Sequence, residues 1–356
     1  MVPRSGRANE QGERRLSGDS AQINRIFGLE TSCDETAAAV VDRGVDVHSS
    51  VVSSQVDLHA RYGGVVPEVA SRAHVEMLIP VIAQAMVEAG VSESSVEAVA
   101  ATQGPGLIGS LLVGVSAAKA LSLVWDVPFV GVNHLEAHLY ASLLDDPELE
   151  LPVVVLLVSG GHTMLVLMHG HGDYEVLGQT VDDAAGEAFD KVARFLGLDY
   201  PGGPAIDRLA ISGDAEAIAF PRAMMHATDE AEFNFSFSGL KTAVVNYVRT
   251  QESVDLADVA ASFQEAAVDA LVIKAMRAAK RYDVSGVCLA GGVAANTRLR
   301  ARVVERCESV GIPSHLPSKE MCTDNAAMVA SAAWYQLQRV GPSDLDSGAY
   351  PNLGLS

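Results

Sequence analysis

The chain has 356 residues, about twice a typical domain of roughly 100–200 residues, so two lobes are expected. A composition that is 49% hydrophobic and 20% charged supports a sizeable core and excludes a disordered chain. With 25 Lys and Arg against 45 Asp and Glu, the formal charge of −20 repels phosphates, which excludes tight autonomous nucleic-acid binding but not a nucleic acid presented by a basic partner.

Cys33, Cys288, Cys307 and Cys322 are scattered and form no CxxC pair, so a reducing, cytoplasmic setting is expected. No span reads as a membrane helix: 107–132 contains Lys119, Asp126 and Pro128, and 153–168 is interrupted by Ser159-Gly160-Gly161-His162. Residues 1–23 carry Arg4, Arg7, Arg14 and Arg15 without an apolar run. They are expected to be a disordered extension rather than a signal peptide.

In chain order, 26–30 reads as a buried strand, 31–35 as a polar turn, 36–41 as the returning strand and 45–53 as a third. Pro67 opens a helix to about residue 90, bent or broken at Pro80. A strand over 96–102 ends in Gln103-Gly104-Pro105-Gly106 and leads into a small-residue helix over 109–124. A strand over 128–132 then precedes a helix that starts from Asn133 and bears two histidines. The pattern restarts with a strand at 153–158, a tight Ser159-Gly160-Gly161 turn, a returning strand at 162–168 and a third at 174–179. Helices are expected over 184–196, 205–212, 239–250 and 256–280. A strand over 284–289 breaks at Gly291-Gly292 into a helix through 296–305, and a last helix covers 323–338. Each half thus opens strand, turn, strand, strand, a duplication of pattern rather than of letters. An α/β fold follows, either as two lobes facing a ligand cleft or as one large doubly wound sheet.

His134 and His138, at i and i+4, share one helix face and are close enough to hold one metal; the alternative is a pair of surface or capping histidines. A zincin would need its glutamate directly after the first histidine, as general base. Here Glu136 sits at i+2, about 200° around the helix from each histidine, so a protease reading loses its base. Asp324 is the strongest third ligand, completing a two-histidine, one-carboxylate set suited to Fe(II) or Zn(II); equally, its context suits a helix N-cap.

Gly160-Gly161, Gly202-Gly203 and Gly291-Gly292 mark turns where backbone can approach a nucleotide-like ligand. No GxxxxGK[ST] is present, which disfavours a P-loop fold. Asp183, Glu187 and Asp190 fall at i, i+4 and i+7 and are expected to share a helix face, either solvated or facing a ligand. Asp34 and Glu35 are either turn residues or cleft carboxylates, one of which could act as a general base.

Together these segments resemble the bacterial tRNA N(6)-adenosine threonylcarbamoyltransferases, once called glycoprotease-like proteins. The resemblance runs from about residue 26 to 333. It is carried in one order by GLETSCDETAAAVV (28–41), YGGVVPEVASRAH (62–74), NHLEAHLYA (133–141), LLVSGGHT (156–163), DDAAGEAFDKVARFLGLDYPGGPAID (182–207), FSFSGLKTAV (235–244), LAGGVAAN (289–296) and CTDNAAMVA (322–330). It implies two duplicated actin-like, ribonuclease-H-like lobes around a nucleotide cleft: 24–150 with the metal-binding helix, 151–342 with the adenylate-binding loops, and a tail over 343–356. The implied reaction moves a threonylcarbamoyl group from threonylcarbamoyl-AMP to the exocyclic amine of the adenosine 3′ to the anticodon, in tRNAs reading codons that begin with A.

Carried over residue by residue, the resemblance implies one divalent metal, Fe(II) favoured and Zn(II) the alternative, on His134, His138 and Asp324. It implies adenylate binding at Leu157, Val158, Ser159, Gly160, Gly161, Asp190, Gly203, Asp207 and Asn296. Such a mixed anhydride is already activated, so no covalent nucleophile is needed. Asp34 is the expected acceptor of the amine proton. The implied partners are tRNA, a paralogous inactive subunit that meets the 67–90 helix, and a small P-loop ATPase; no membrane is involved. Asn133 stands where some relatives carry a further histidine. The competing readings are a metalloprotease and an actin-fold ATPase or regulatory module.

Overall fold

The computed structural model describes residues 23–225 and 227–355. Of the extension expected over 1–23, all but Ile23 lies outside them.

The chain opens with β1 (Arg25–Glu30), β2 (Glu35–Asp42) and β3 (Asp46–Ser54), then α1 (Val56–Ala60), α2 (Pro67–Ala89), β4 (Ala98–Gly104), α3 (Ile108–Trp125), β5 (Phe129–Asn133), α4 (His134–Leu139) and α5 (Ala141–Asp145). The second half opens alike with β6 (Val153–Val158), β7 (Thr163–Gly170) and β8 (Asp173–Gln179). It continues with α6 (Ala185–Phe195), α7 (Gly202–Ala210), α8 (Ser238–Thr250), α9 (Leu256–Tyr282), β9 (Gly286–Ala290), α10 (Thr297–Val310), β10 (Ser314–His315), α11 (Lys319–Cys322) and α12 (Ala326–Arg339).

The described strands form two five-stranded sheets, ordered β3-β2-β1-β4-β5 and β10-β9-β6-β7-β8. In each, the first three strands run as an antiparallel meander, and the first strand also pairs in parallel with the strand after the crossover helices. The restart near Val153 is therefore a true duplication of topology, and the single doubly wound sheet is set aside.

The period-2 alternation of a strand decides which core each side chain enters. Val153, Val155 and Leu157 of β6 join Ala37, Ala39, Val130 and Val132 of the first sheet in a core shared by both sheets. Val154, Leu156 and Val158 turn instead to the core of the second lobe, under α6, α8 and α9. Phe27, Leu29, Leu78 and Val115 fill the core on the outer face of the first sheet. Leu135, Ala137 and Leu139 of α4 and Ala326–Ala330 of α12 also belong to the shared core, so both helices lie between the sheets. Although α12 comes late in the chain, it packs on β1, β2 and α4 of the first lobe.

Helix α2 runs unbroken through Pro80, so the expected break does not occur there. Pro80 and Glu76, whose carbonyl it leaves without a helical partner, are both exposed. Helix α3 is long and apolar enough to cross a membrane by length and composition. It nevertheless buries Leu111, Val115 and Ala118 and packs on α2 and β4. The tail returns along the first sheet: Tyr350 N donates to Gln103 O at 2.8 Å, and Gly131 N to Ser343 Oγ at 3.0 Å.

Candidate functional site

Helix α4 begins where Asn133 Oδ1 accepts from Leu135 N at 2.8 Å and Glu136 N at 3.3 Å. The other end of the same amide donates to Gly354 O at 2.7 Å, so the tail helps hold the helix start. One turn apart, the His134 and His138 rings lie with centroids 4.7 Å apart at 76°. Asp324 Oδ1 stands 3.1 Å from His138 Nε2 and 3.6 Å from His134 Nε2. The three side chains bring one ligand atom each within 4.8 Å of one another.

Two local features put Asp324 there. The N-cap of α12 is Asn325, whose Oδ1 accepts from Met328 N at 3.0 Å, so Asp324 is not the cap and its carboxylate is left for the histidines. A Cβ on Gly28 would lie 2.5 Å from Ala326 O, so only the absence of a side chain lets the start of α12 lie this close over β1.

The donor set fits a cation. His138 is fully buried, yet neither ring nitrogen makes a hydrogen bond. Its Nε2 lies near Asp324 without hydrogen-bond alignment, the arrangement expected of a metal ligand. Burial opposes charge on His134, but Asp324 and then Glu30 outweigh it and raise its pKa to about 9. Burial likewise opposes charge on Asp324, but His134 and His138 hold its carboxyl well below the usual carboxylate range.

The turn carrying Asp34 is braced from two sides. His74 Nε2 lies 3.0 Å from Cys33 O and its Nδ1 2.8 Å from Thr36 Oγ1, while Gln55 N donates to Asp34 O at 2.9 Å. Burial, then the charges of Asp324 and Asp34, keep the Glu35 carboxyl well above its ordinary range. Burial and Asp34 hold the Cys33 thiol protonated, so it is no nucleophile.

Across the cleft, β6 ends in the Ser159–Gly161 turn, closed by Ser159 N to His162 O at 2.8 Å and His162 N to Ser159 Oγ at 3.1 Å. A Cβ on Gly160, Gly161 or Gly203 would meet nothing within 4 Å. These backbones face open space that a ligand can fill. Asp190 Oδ1 accepts from Gly202 N at 2.7 Å and thereby anchors the start of α7. Burial raises the Asp190 pKa, the N–H groups of Gly202 and Gly203 oppose that rise, and the Asp34 charge adds to it from across the cleft. Asp207 accepts from Thr297 Oγ1 at 2.8 Å, beside Asn296. The Asn296 side chain is already engaged, accepting from Leu299 N at 2.9 Å as cap of α10 and donating to Gln264 Oε1 at 2.7 Å. A cavity of about 210 Å³ lies between Ala60 and Gly63 on one side and Asp190, Arg194 and Tyr200 on the other.

The expected row of Asp183, Glu187 and Asp190 is divided: the first two share Lys191, whereas Asp190 turns to Gly202 N. Asp183 precedes α6 and binds Lys191 at 2.7 Å and also Lys241, and Glu187 binds Lys191 at 2.7 Å. Asp182 instead holds the segment before α8, accepting from Phe237 N at 2.8 Å and Ser238 Oγ at 2.6 Å. Glu136 turns away from the histidines, its Oε1 3.1 Å from Tyr174 Oη, so it is not placed as a general base of the zincin kind.

Sequence reasoning passed over two residues. Glu30, wholly buried, places Oε2 3.0 Å from His134 Nδ1. A lone carboxylate closing an apolar strand was the available signal. Burial, then His134 and His138, push the pKa of His162 down to about 4, leaving a neutral imidazole beside the triad.

A family model described as tRNA N6-adenosine threonylcarbamoyltransferase matches residues 46–331. Relatives bearing that name include one from Symbiobacterium thermophilum, 54% identical over 333 residues (93% of this chain and 96% of the relative). Another, from Caldicellulosiruptor saccharolyticus, is 50% identical over 334 residues, covering 93% of this chain and 98% of the relative. Among solved structures, HypF from T. kodakarensis matches with a TM-score of 0.61 at 18% identity, over 89% of this chain and 48% of that one. Component A of the Acidaminococcus fermentans (R)-2-hydroxyglutaryl-CoA dehydratase matches with a TM-score of 0.51 at 14% identity, over 89% of this chain and 100% of that one. At such identity these two speak for the fold alone, two actin-like α/β lobes.

Proposed function

The chain belongs to the tRNA N6-adenosine threonylcarbamoyltransferase family, and on that premise we propose how its cleft moves a threonylcarbamoyl group onto the N6 amine of a tRNA adenosine. The donor is threonylcarbamoyl-AMP and the acceptor the adenosine 3′ to the anticodon in tRNAs reading codons that begin with A. The observation that carries the reading is the buried His134–His138–Asp324 cluster, with the Asp34 turn near it and open glycine backbones across the cleft.

The adenylate lies against Leu157, Val158 and the Ser159–Gly161 turn. Asp190, Gly203, Asp207 and Asn296 form the wall that receives its ribose and base. When bound at His134, His138 and Asp324, a divalent cation, Fe(II) favoured and Zn(II) the alternative, supplies Lewis-acid stabilisation of charge on the carbamoyl and phosphate oxygens. The N6 nitrogen forms the new bond to the carbamoyl carbon, the bond from that carbon to the phosphate oxygen breaks, and AMP leaves. Asp34 accepts the N6 proton. The residues around the cleft otherwise orient the two substrates, which is where much of the rate of such a transfer arises.

The acidic surface suits tRNA delivery by partners in the cytoplasm, a paralogous inactive subunit and a small P-loop ATPase. Helix α2 supports docking of the first, since Val75, Ile79 and Val87 are 64%, 70% and 79% exposed. The test supplies labelled threonylcarbamoyl-AMP and unmodified tRNA, with and without those partners. Label is expected on N6 with the parent chain and not with His138→Ala. Label transfer unaffected by that substitution would overturn the proposal.

A further inference from the structure

Three donors converge on the two oxygens of Glu30: His134 Nδ1 at 3.0 Å and Thr102 Oγ1 at 2.5 Å on Oε2, and Ser32 N at 2.5 Å on Oε1. An ionised carboxylate only accepts, so Nδ1 of His134 carries its hydrogen toward Glu30. Nε2 is then the nitrogen turned to Asp324, 3.6 Å away. We propose that Glu30 is a positioning residue for the cation site: it fixes His134 with Nδ1 protonated, aims Nε2 at the ion shared with His138 and Asp324, and through Ser32 ties α4 to the turn bearing Asp34. The inference rests on the metal-assisted reading above and extends it to a residue outside the ligand set. Metal-binding histidines generally depend on such a partner at the other ring nitrogen.

Glutamine at this position keeps the shape but offers one oxygen to three donors. The backbone N–H of Ser32 cannot change role, so the amide oxygen stays with it and the amide NH₂ turns to Thr102 and His134. The threonine hydroxyl can rotate to accept. His134 can accept at Nδ1 only by placing its proton on Nε2, the nitrogen a cation needs bare. Ser32 Oγ also approaches Nδ1, at 3.3 Å, and is the rival for the role.

The experiment titrates the metal-freed full chain with Zn(II) against a chromophoric chelator and records the visible spectrum of the Co(II)-loaded form. Glu30→Gln, checked for a native circular dichroism spectrum, is expected to bind Zn(II) about 10- to 100-fold more weakly than the parent, with an altered Co(II) spectrum. Equal affinity and an unchanged spectrum overturn the proposal, as does weakening by Ser32→Ala but not by Glu30→Gln. Should Glu30→Gln fail to fold, imidazole ¹⁵N resonances of the Zn(II)-loaded parent decide. A proton on Nδ1 and metal on Nε2 of His134 support it, and metal on Nδ1 overturns it. A parent chain that binds no ion overturns this proposal together with the metal-assisted reading, whereas the other outcomes bear on Glu30 alone.

Discussion

His138 Nε2 and Asp324 Oδ1 stand 3.1 Å apart, although one belongs to a short helix of the first lobe and the other to the turn before the last helix. Because neither His138 nitrogen has a hydrogen bond in this buried position, the pair makes sense as two ligands of one ion. His138→Ala and Asp324→Ala are each expected to abolish stoichiometric Zn(II) binding and to lower single-turnover transfer by at least about 100-fold, the scale of losing one strong electrostatic contact in a transition state. Quench-flow kinetics on metal-loaded protein measures the second effect, and chelator competition the first.

Gly28 sets the seat of Asp324. A methyl group there would press on Ala326 O at 2.5 Å and on Ala330 Cβ at 3.0 Å, atoms of a helix packed between two sheets that has little room to move. Gly28→Ala is expected to cost about 1–3 kcal/mol of stability by overpacking and to weaken Zn(II) binding although it touches no ligand. Chemical denaturation and chelator competition on the same preparation check both.

Proton and cation compete for His134. In the metal-free fold its pKa is raised to about 9, against burial, by Asp324 and Glu30, so below that pH a cation at Nε2 must displace a proton. Zn(II) affinity is expected to tighten as pH rises, by up to about tenfold per unit below pH 9. Stability runs the other way. A raised histidine pKa stabilises the metal-free fold fully below about 6.5, the unfolded value, and that contribution is lost as pH rises toward 9. Calorimetry is expected to show the gap in Tm between loaded and metal-free protein widening from pH 6.5 to 9.

Asp34 is assigned the proton of the amine, not the binding of the donor. Asp34→Asn is expected to leave the affinity for a non-hydrolysable donor analogue within about threefold, while the single-turnover rate falls by at least about 100-fold, the range of general-base catalysis. An unchanged rate with normal binding would remove the residue from the mechanism.

Much of this was legible in the linear chain because the cues are local. Short apolar runs separated by turns in 26–54 and again in 153–179 mark the two meanders, and the i, i+4 spacing of His134 and His138 marks the ligand helix. The losses are tertiary. Asp324 suits a cap on paper, but Asn325 takes that role, its Oδ1 accepting from Met328 N, and the Asp324 carboxylate is left for the histidines. Asp183 looked like part of a carboxylate face by its spacing alone, but it precedes α6, and the lysines that neutralise it, Lys191 and Lys241, come from two different helices. Glu30 looked like the end of a strand, since its partner His134 is brought to it only by closure of the first lobe.

The central claim is that one cation is held jointly by His134, His138 and Asp324 at the edge of the donor cleft. Anomalous diffraction at the zinc edge, from crystals grown with Zn(II) and a donor analogue, measures this directly. The account predicts a single strong peak about 2.0–2.2 Å from Nε2 of both histidines and from an Asp324 oxygen, with the carbamoyl end of the analogue facing it. A peak on other residues, or a bound analogue with no peak at the triad, would contradict it.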